Sequence, residues 1–289
     1  MDNTFRIVIT GANGFIGSKL VKSFSRENKN IFCLDRNIHS LFDISSLKDL
    51  LTDADIIYHF AGATAGSGHN PGQAVLTKNN IEATYNLLNA ITQFCKKPPL
   101  LVNMSTIHVY DKTVSKLSES SNLSPSNVYG ITKLTQEFLI RQATQVGTIR
   151  SVIFRASNVY GEGDRPNHNS AIATFCDKIK RNREVTLFAR GEATLDLIYV
   201  DDVVDVLNNI EVFEKHNGQT YNLATGITVS INEVINNLKQ ISGLDIKTKL
   251  VDGTKHEFSI KIDKLREAYP EIKHHNINDG LKKTYGNKP

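Results

Sequence analysis

Short apolar runs recur along the first half of the chain, and longer amphipathic stretches separate them. Phe5-Arg6-Ile7-Val8-Ile9 is β-branched and nearly all apolar, the pattern of a strand buried on both faces. Phe15, Ile16, Leu20, Val21 and Phe24 then recur at helical spacing. Ile31-Phe32-Cys33-Leu34 reads as a second strand, and Asp55-Ile56-Ile57-Tyr58-His59-Phe60 as a third. Ile81, Leu87, Leu88, Ile91 and Phe94 form the stripe of a long helix, which Pro98-Pro99 stops before a strand at Leu100–Met104. Strand alternating with helix at this spacing predicts an α/β fold with a doubly wound parallel sheet. Beyond Gly161 the pattern changes. Glu162–Asn169 is a polar loop, Ala171–Ile179 reads as a helix, and Val185-Thr186-Leu187-Phe188 as an edge strand.

The first strand turns into the first helix through Thr10-Gly11-Ala12-Asn13-Gly14-Phe15-Ile16-Gly17. Gly11 permits the tight turn, Gly14 lets a pyrophosphate approach the backbone, and Gly17 lets the helix press on the sheet. The helix N-terminus then offers free N–H groups and a positive dipole end to phosphate. Gly11, Asn13, Gly14, Phe15, Ile16 and Gly17 are therefore candidate cofactor-binding residues. Asp35 ends the second strand 18 residues after Gly17, placed to accept hydrogen bonds from an adenosine ribose. Its charge favours NAD over NADP, although the guanidinium of Arg36 offsets that repulsion and keeps NADP open. The alternative is a solvated Asp-Arg pair. Small residues after the third strand, at Ala61-Gly62-Ala63, allow close approach to a cofactor, and the loop from Thr64 to Gly72 has the composition of a surface loop over a site. His59 reads as a packed strand-end residue.

Ligands on such sheets sit at the carboxyl ends of the strands. There the chain reads Ser105-Thr106-Ile107-His108-Val109-Tyr110, and the next helix opens with Tyr129-Gly130-Ile131-Thr132-Lys133. Tyr129 and Lys133 share one helix face. An ammonium beside the phenol is expected to lower its pKa toward working pH, giving a general acid/base, with Thr106 able to bond the same oxygen.

Charge and composition narrow the partners. The net charge of +4 arises from 34 basic and 30 acidic residues without long single-sign blocks, so no nucleic-acid footprint is expected. No apolar run approaches the length of a membrane span. Met1-Asp2-Asn3-Thr4 runs straight into the first predicted strand, leaving no room for a signal peptide. Cys33, Cys95 and Cys176 are odd in number and far apart, as expected of reduced thiols in a cytoplasmic protein. His274-His275 lacks further ligands at metal spacing and reads as a solvated tail; no metal site is expected.

Taken together these pieces resemble the extended short-chain dehydrogenase/reductases, the group of NAD-dependent nucleotide-sugar epimerases and dehydratases. The matching segments are Thr10–Gly17, Asp35, Asp43-Ile44, His59-Phe60-Ala61-Gly62, Asn80, Ser105-Thr106, Val109-Tyr110 and Tyr129–Lys133. Further on come Arg155, Asn158-Val159-Tyr160-Gly161, Ile198–Val203 and Tyr221-Asn222-Leu223. The resemblance implies a Rossmann-type NAD-binding domain over 1–158 with returning segments near 195–225, including strands near Ile198 and Tyr221. A smaller α/β substrate-binding domain would come from 159–194 and 226–289. It assigns proton exchange to Tyr129, the nicotinamide ribose and the tuning of Tyr129 to Lys133, and the reacting oxygen to Thr106. Asp35 and Asp43 with Ile44 would meet the adenosine, Phe60, Ala61 and Gly62 the cofactor, and Asn158 the substrate diphosphate. Relatives pack the helices near 80–95 and 129–146 into a dimer, so a homodimer is expected. Polysaccharide biosynthesis is the setting that relatives suggest.

Three departures limit this transfer. Dehydratases carry Asp-Glu where this chain has Ile107 and His108, and isoleucine cannot move a proton. His108 is a candidate substrate-binding residue, and it is either an acid/base of its own or, more simply, a packed and hydrogen-bonded residue. Relatives usually have Arg where Leu195 precedes Asp196, and Leu195 offers no guanidinium fork to a diphosphate. Arg165 and Arg190 are the candidate substitutes. No Arg stands in register near Thr254-Lys255-His256-Glu257, where relatives carry another. The expected activity is an NAD-dependent 4-epimerase of a nucleoside-diphosphate hexose. The alternative is an NAD(P)H-dependent 4-reductase of a 4-keto-6-deoxysugar nucleotide, and a non-catalytic NAD(P)-sensing regulator is a minor third.

Overall fold

The computed structural model describes residues 5–27, 29–65, 70–166, 170–209, 212, 215–253, 255, 257 and 258–286. Its centre is a six-stranded parallel sheet in the order β10-β6-β4-β3-β1-β2. The strands are β1 Ile7–Thr10, β2 Ile31–Cys33, β3 Ile56–His59, β4 Leu100–Thr106, β6 Arg150–Ala156 and β10 Gln219–Leu223. Their register pairs Ile7 with Ile56 and Ile31, Tyr58 with Val102, and Val102 with Val152. Alternate side chains leave opposite faces of a strand, so one register fills two cores. On one face Ile7, Ile9, Tyr58, Val102 and Phe154 pack against Leu20 and Phe24 of α1 (Phe15–Arg26) and against Val203 and Leu207 of α7 (Val200–Asn208). On the other, Val8, Ile57, Leu101 and Ile153 meet Leu87 and Ile91 of α4 (Ala83–Phe94) and Ile140 of α5 (Val128–Gln145). Each such fully buried Leu, Ile or Phe contributes about 1.5–3 kcal/mol relative to exposure. The covering helices thus hold the strand ends rigid where ligands bind.

The long helix expected before Pro98 is present, but it is not uniform. After α3 (Gln73–Leu76) it widens into a π turn at Thr77–Glu82, which carries the fully buried Asn80 inward, and only then continues as α4. The short helix α2 (Lys48–Leu51) lies between β2 and β3.

The second half builds smaller sheets. β7 (Asn158–Tyr160), β9 (Thr194–Tyr199) and β11 (Thr228–Ser230) form a three-stranded sheet over α6 (Ala171–Lys180) and α8 (Ile231–Ser242). The predicted edge strand is β8 (Val185–Leu187), paired in parallel with β12 (Thr248–Leu250). Of the two strands expected to return to the first domain, β10 joins the main sheet beside β6. The Ile198 strand pairs with β7 and β11, yet Ile198 itself packs into the α1 core, and the helix after it, α7, packs on α1. Part of the C-terminal stretch also returns. β13 (Ser259–Ile260) pairs with β5 (Lys116–Leu117), and Leu265 of α9 (Asp263–Ala268) enters the α1 core.

His274-His275 is not a solvated tail. The His275 N–H and Nδ1 both bond the buried Asp202 carboxylate, at 2.9 and 2.5 Å, and Lys283 of α10 (Ile277–Gly286) lies 3.1 Å from His275 Nε2. Asp202 sits in the first turn of α7, so these bonds tie the C-terminal segment to the fold.

Candidate active site

The glycine loop is built at van der Waals limits. Gly11 has φ 71°, and a Cβ there would lie 2.6 Å from both Phe60 C and Ala61 N. A Cβ on Gly17 would come within 2.2 Å of the Gly11 carbonyl oxygen, so this glycine is required by its own loop. α1 starts at Phe15 with Gly14 at its N-cap and no side-chain cap. Its first N–H groups therefore face the cleft uncapped, a cradle that fits a pyrophosphate. Arg36, Phe60 and Gly62 line the same cleft beside Gly11, Gly14, Phe15, Ile16 and Gly17.

This cleft, about 1030 Å³, runs from the glycine loop across the strand ends to the second half of the chain, where Asn158, Asp164, Arg165, Ser170, Leu195 and Leu197 line it. Thr106, Tyr129 and Lys133 meet in its wall. Thr106 ends β4, while Tyr129 and Lys133 project from the first turns of α5, which Asn127 caps by accepting from Gly130 N–H at 2.8 Å. Burial pushes the Tyr129 phenol up to about 12, with a hydrogen bond from Thr106 pulling the other way. The direction is opposite to the one expected from the Tyr–Lys spacing. Lys133 gives its hydrogen bond to Gln136 Oε1, and burial dominates the phenol. Burial also brings the Lys133 ammonium down to about 8, against the pull of the Glu137 carboxylate.

The sequence matches the model described as "NAD dependent epimerase/dehydratase family" over residues 7–224. The chain belongs to that family. It is 28% identical over 270 residues to an uncharacterized UDP-glucose epimerase of Bacillus subtilis, covering 82% of each chain. The fold matches UDP-glucose 4-epimerase of Thermotoga maritima, solved with UDP-glucose, at TM-score 0.87 and 25% identity, over 98% of both chains. It matches UDP-glucuronic acid 4-epimerase of Bacillus cereus, solved with UDP-glucuronic acid and NAD, at TM-score 0.84 and 25% identity, again over 98% of both. NAD is the family's cofactor, and the glycine cradle described above suits it.

Within this epimerase/dehydratase chain the remaining candidate residues divide. Asn158 lines the cleft and donates from Nδ2 to the Asp196 carbonyl at 3.0 Å. Arg165 lines it as well. Arg190 does not: Ala189 and Arg190 adopt left-handed backbone, and the Arg190 side chain points to Asp252 at 3.6 Å, so of the two candidate substitutes for Leu195 only Arg165 reaches the cleft. Asp35 is exposed at the end of β2, with Oδ1 accepting from the Asn37 N–H at 2.9 Å. Neither it nor Asn13 or Ala61 is in the cleft lining; the Ala61 N–H is spent on Thr10 Oγ1 at 3.2 Å. Asp43 caps the turn Ile44–Leu47 through Ser45, and Ile44 packs into the α4 core, so both have structural duties outside the cleft wall. The positions Thr254 and His256 lie outside the described residues, as does part of the loop from Thr64 to Gly72.

His59 is packed, as its position at the strand end suggested. Thr10 Oγ1 and Thr84 Oγ1 hold its two ring nitrogens at 2.8 and 2.9 Å, and burial, with Lys133 second, pulls it down to about 3. The chain of contacts continues: Gln136 Nε2 donates to Thr84 Oγ1 at 2.7 Å while Gln136 Oε1 receives Lys133. A buried hydrogen-bonded row thus joins the glycine loop to the lysine. Gln136 was missed from sequence, although its place one turn after Lys133 is a readable signal. Asn80 appeared only as a matching residue. Its amide bonds both the N–H and carbonyl of Ala63 and the Thr132 hydroxyl, pinning the strand-end loop to α5. Asp164 was also missed. Its carboxyl is pushed up to about 6 by burial, and Oδ2 has no partner among the described residues.

Proposed function

We propose that this protein is an NAD-dependent 4-epimerase acting on a hexose carried by a nucleoside diphosphate. The observation that carries the reading is the meeting of Thr106, Tyr129 and Lys133 in the wall of one cleft with the glycine cradle at its other end. Gly11, Gly14, Gly17 and the N-terminus of α1 would hold the pyrophosphate of NAD, Arg36 and Phe60 would flank it, and Lys133 would hold the nicotinamide ribose. NAD supplies a hydride acceptor that can give the hydride back. Tyr129 would have to act as its phenolate, taking the C4 hydroxyl proton and giving it back to the same oxygen; burial opposes that form, and the Lys133 ammonium, one helix turn on, is the charge that would favour it. Thr106 holds that oxygen throughout. The Ile107 position supplies no acid or base, which leaves no partner for loss of water. Leu195 leaves one side of the diphosphate without a guanidinium, and Arg165, which lines the same cleft, would supply one.

A homodimer fits the exposed apolar residues of the two helices that relatives pair. Tyr85 on α4 is 54% exposed, and Ile131 and Phe138, one heptad apart on α5, are 49% and 57% exposed. Among the described residues no helix is long and apolar enough to cross a membrane. Cys33, Cys95 and Cys176 are unpaired, in keeping with a reducing cytoplasm.

The test is to denature the purified protein, identify any nucleotide released, and then follow interconversion of UDP-glucose and UDP-galactose. Near-stoichiometric NAD or NADH together with turnover supports the epimerase. An empty protein that consumes NADPH with a 4-keto sugar nucleotide would make it a reductase. Tyr129→Phe should keep bound NAD and lose at least about a hundredfold in kcat. Full turnover in that variant would sink the assignment.

A further inference from the structure

His108 presents two unlike sides. On one, Nδ1 lies 3.1 Å from the Lys112 ammonium. An ammonium has only hydrogens to offer, so Nδ1 accepts, and the ring's proton must sit on Nε2. Lys112 is held for this task. It is half-buried, its ammonium stands 5.3 Å from the Phe258 ring centroid, and no carboxylate lies within ion-pair distance among the described residues. Burial first, and this ammonium second, push the imidazole down to about 4, so the ring is neutral at neutral pH and is no general acid there.

The other side belongs to the cleft. His108 lines it whereas Lys112 does not, and the imidazole meets the Tyr129 ring edge-on with centroids 6.0 Å apart. The structure records no acceptor for Nε2 among the described residues. The His108 main-chain N–H bonds Thr106 Oγ1 at 3.3 Å, which fixes the ring's root beside the hydroxyl that holds the reacting oxygen. A rigid, neutral donor with one free N–H, set next to the reacting position, recognises an acceptor atom on the substrate.

We propose that His108, locked by Lys112 as the Nε2–H tautomer, is a specificity residue that donates a hydrogen bond to the oxygen on C3 or on C6 of the bound sugar, the two hydroxyls that lie to either side of the C4 position. The proposal rests on the nucleotide-sugar reading above. It replaces acid/base chemistry at His108 with recognition: the ring gives a hydrogen bond and keeps its proton. A sugar lacking the recognised oxygen would cover this N–H and leave it unpaired, and should bind about tenfold more weakly.

The experiment measures calorimetric affinities of the NAD-loaded wild type, His108→Phe and His108→Gln for UDP, UDP-glucose, UDP-3-deoxyglucose and UDP-6-deoxyglucose. In the wild type one of the two deoxy sugars should bind about tenfold more weakly than UDP-glucose, and His108→Phe should erase that ratio while leaving UDP affinity unchanged. His108→Gln, which keeps an N–H donor, should restore part of it. An equal ratio in all three proteins, or a matching loss for UDP itself, would overturn the proposal. Nitrogen-15 NMR of the imidazole provides a readout independent of substrate. It should show Nε2–H in the wild type and a mixture of tautomers in Lys112→Met; Nδ1–H in the wild type would overturn the lock. If the wild type binds UDP but gains nothing from any sugar, the nucleotide-sugar reading fails and takes the proposal with it, while the tautomer result still stands.

Discussion

Arg155 on β6 and Glu137 on α5 close on each other at 2.7 Å, and neither side chain keeps more than 1% of its surface in solvent. The guanidinium also bonds Glu137 Oε1 through Nε at 3.0 Å, and Ser105 from β4 donates to the same oxygen at 2.5 Å. One carboxylate thus joins β4, β6 and α5 one turn beyond Lys133. The pairing holds the Arg155 guanidinium well above its usual range despite burial.

Removing Glu137 leaves the Arg155 guanidinium buried and unmatched, whereas removing Arg155 leaves Glu137 with Arg141 Nη2 at 3.2 Å. Glu137→Leu should therefore cost about 3–5 kcal/mol and Arg155→Met less, and the double change Glu137→Leu with Arg155→Met should cost less than the sum. Urea denaturation of the four proteins checks this. Additive losses would show that the two residues act independently.

Gly17 has no room for a methyl group, since the new carbon would overlap the Gly11 carbonyl oxygen. Gly17→Ala should therefore displace the phosphate-binding loop, abolish copurifying NAD and destabilise the fold by about 1–3 kcal/mol. Cofactor content after denaturation is the measurement. A Gly17→Ala protein that retains stoichiometric NAD would contradict the cradle.

His59 makes stability depend on acid. Its folded pKa, about 3, lies below the ordinary value of 6.5, so the unfolded chain binds the extra proton. The stabilisation is present above about pH 6.5 and is lost as pH falls toward 3, at up to about 1.4 kcal/mol per pH unit. His108 shifts in the same direction, so the comparison of wild type with His59→Gln isolates the one residue. The difference between their stabilities should shrink steadily below pH 6.5; parallel curves would exclude the effect.

Phe138 and Ile131 place an exposed apolar stripe on α5. In the proposed dimer, Phe138→Glu buries a charge at the interface and should yield monomers at micromolar concentration, with NAD still bound. Sedimentation velocity checks it. Identical sedimentation of wild type and variant would place any interface elsewhere.

Much of this architecture was legible in order along the chain. The β1 run, the glycine turn and the α1 stripe are local, because strand period, helix period and glycine's permissive backbone are properties of neighbouring residues. Thr106, Tyr129 and Lys133 were legible too, since a strand end and one helix face place them without any knowledge of the second half. Long-range placement was not. Leu195 showed that an arginine was missing, yet only the left-handed turn at Ala189 and Arg190 decided that Arg190 leaves the cleft and Arg165 stays. His274-His275 looked unpartnered because its partner, Asp202, lies 73 residues away in the chain.

The chemistry of the site divides along the same line. Sequence by itself determined which groups are available: a glycine cradle, a phenol, an ammonium, a threonine hydroxyl and an imidazole after Ile107. Tertiary structure decided their states. Burial raised the Tyr129 phenol where spacing alone argued for lowering it, Gln136 took the Lys133 hydrogen bond, and Lys112 chose the His108 tautomer. Protonation and hydrogen bonding depend on solvent exclusion and on distances across elements, and those exist only once the chain has packed.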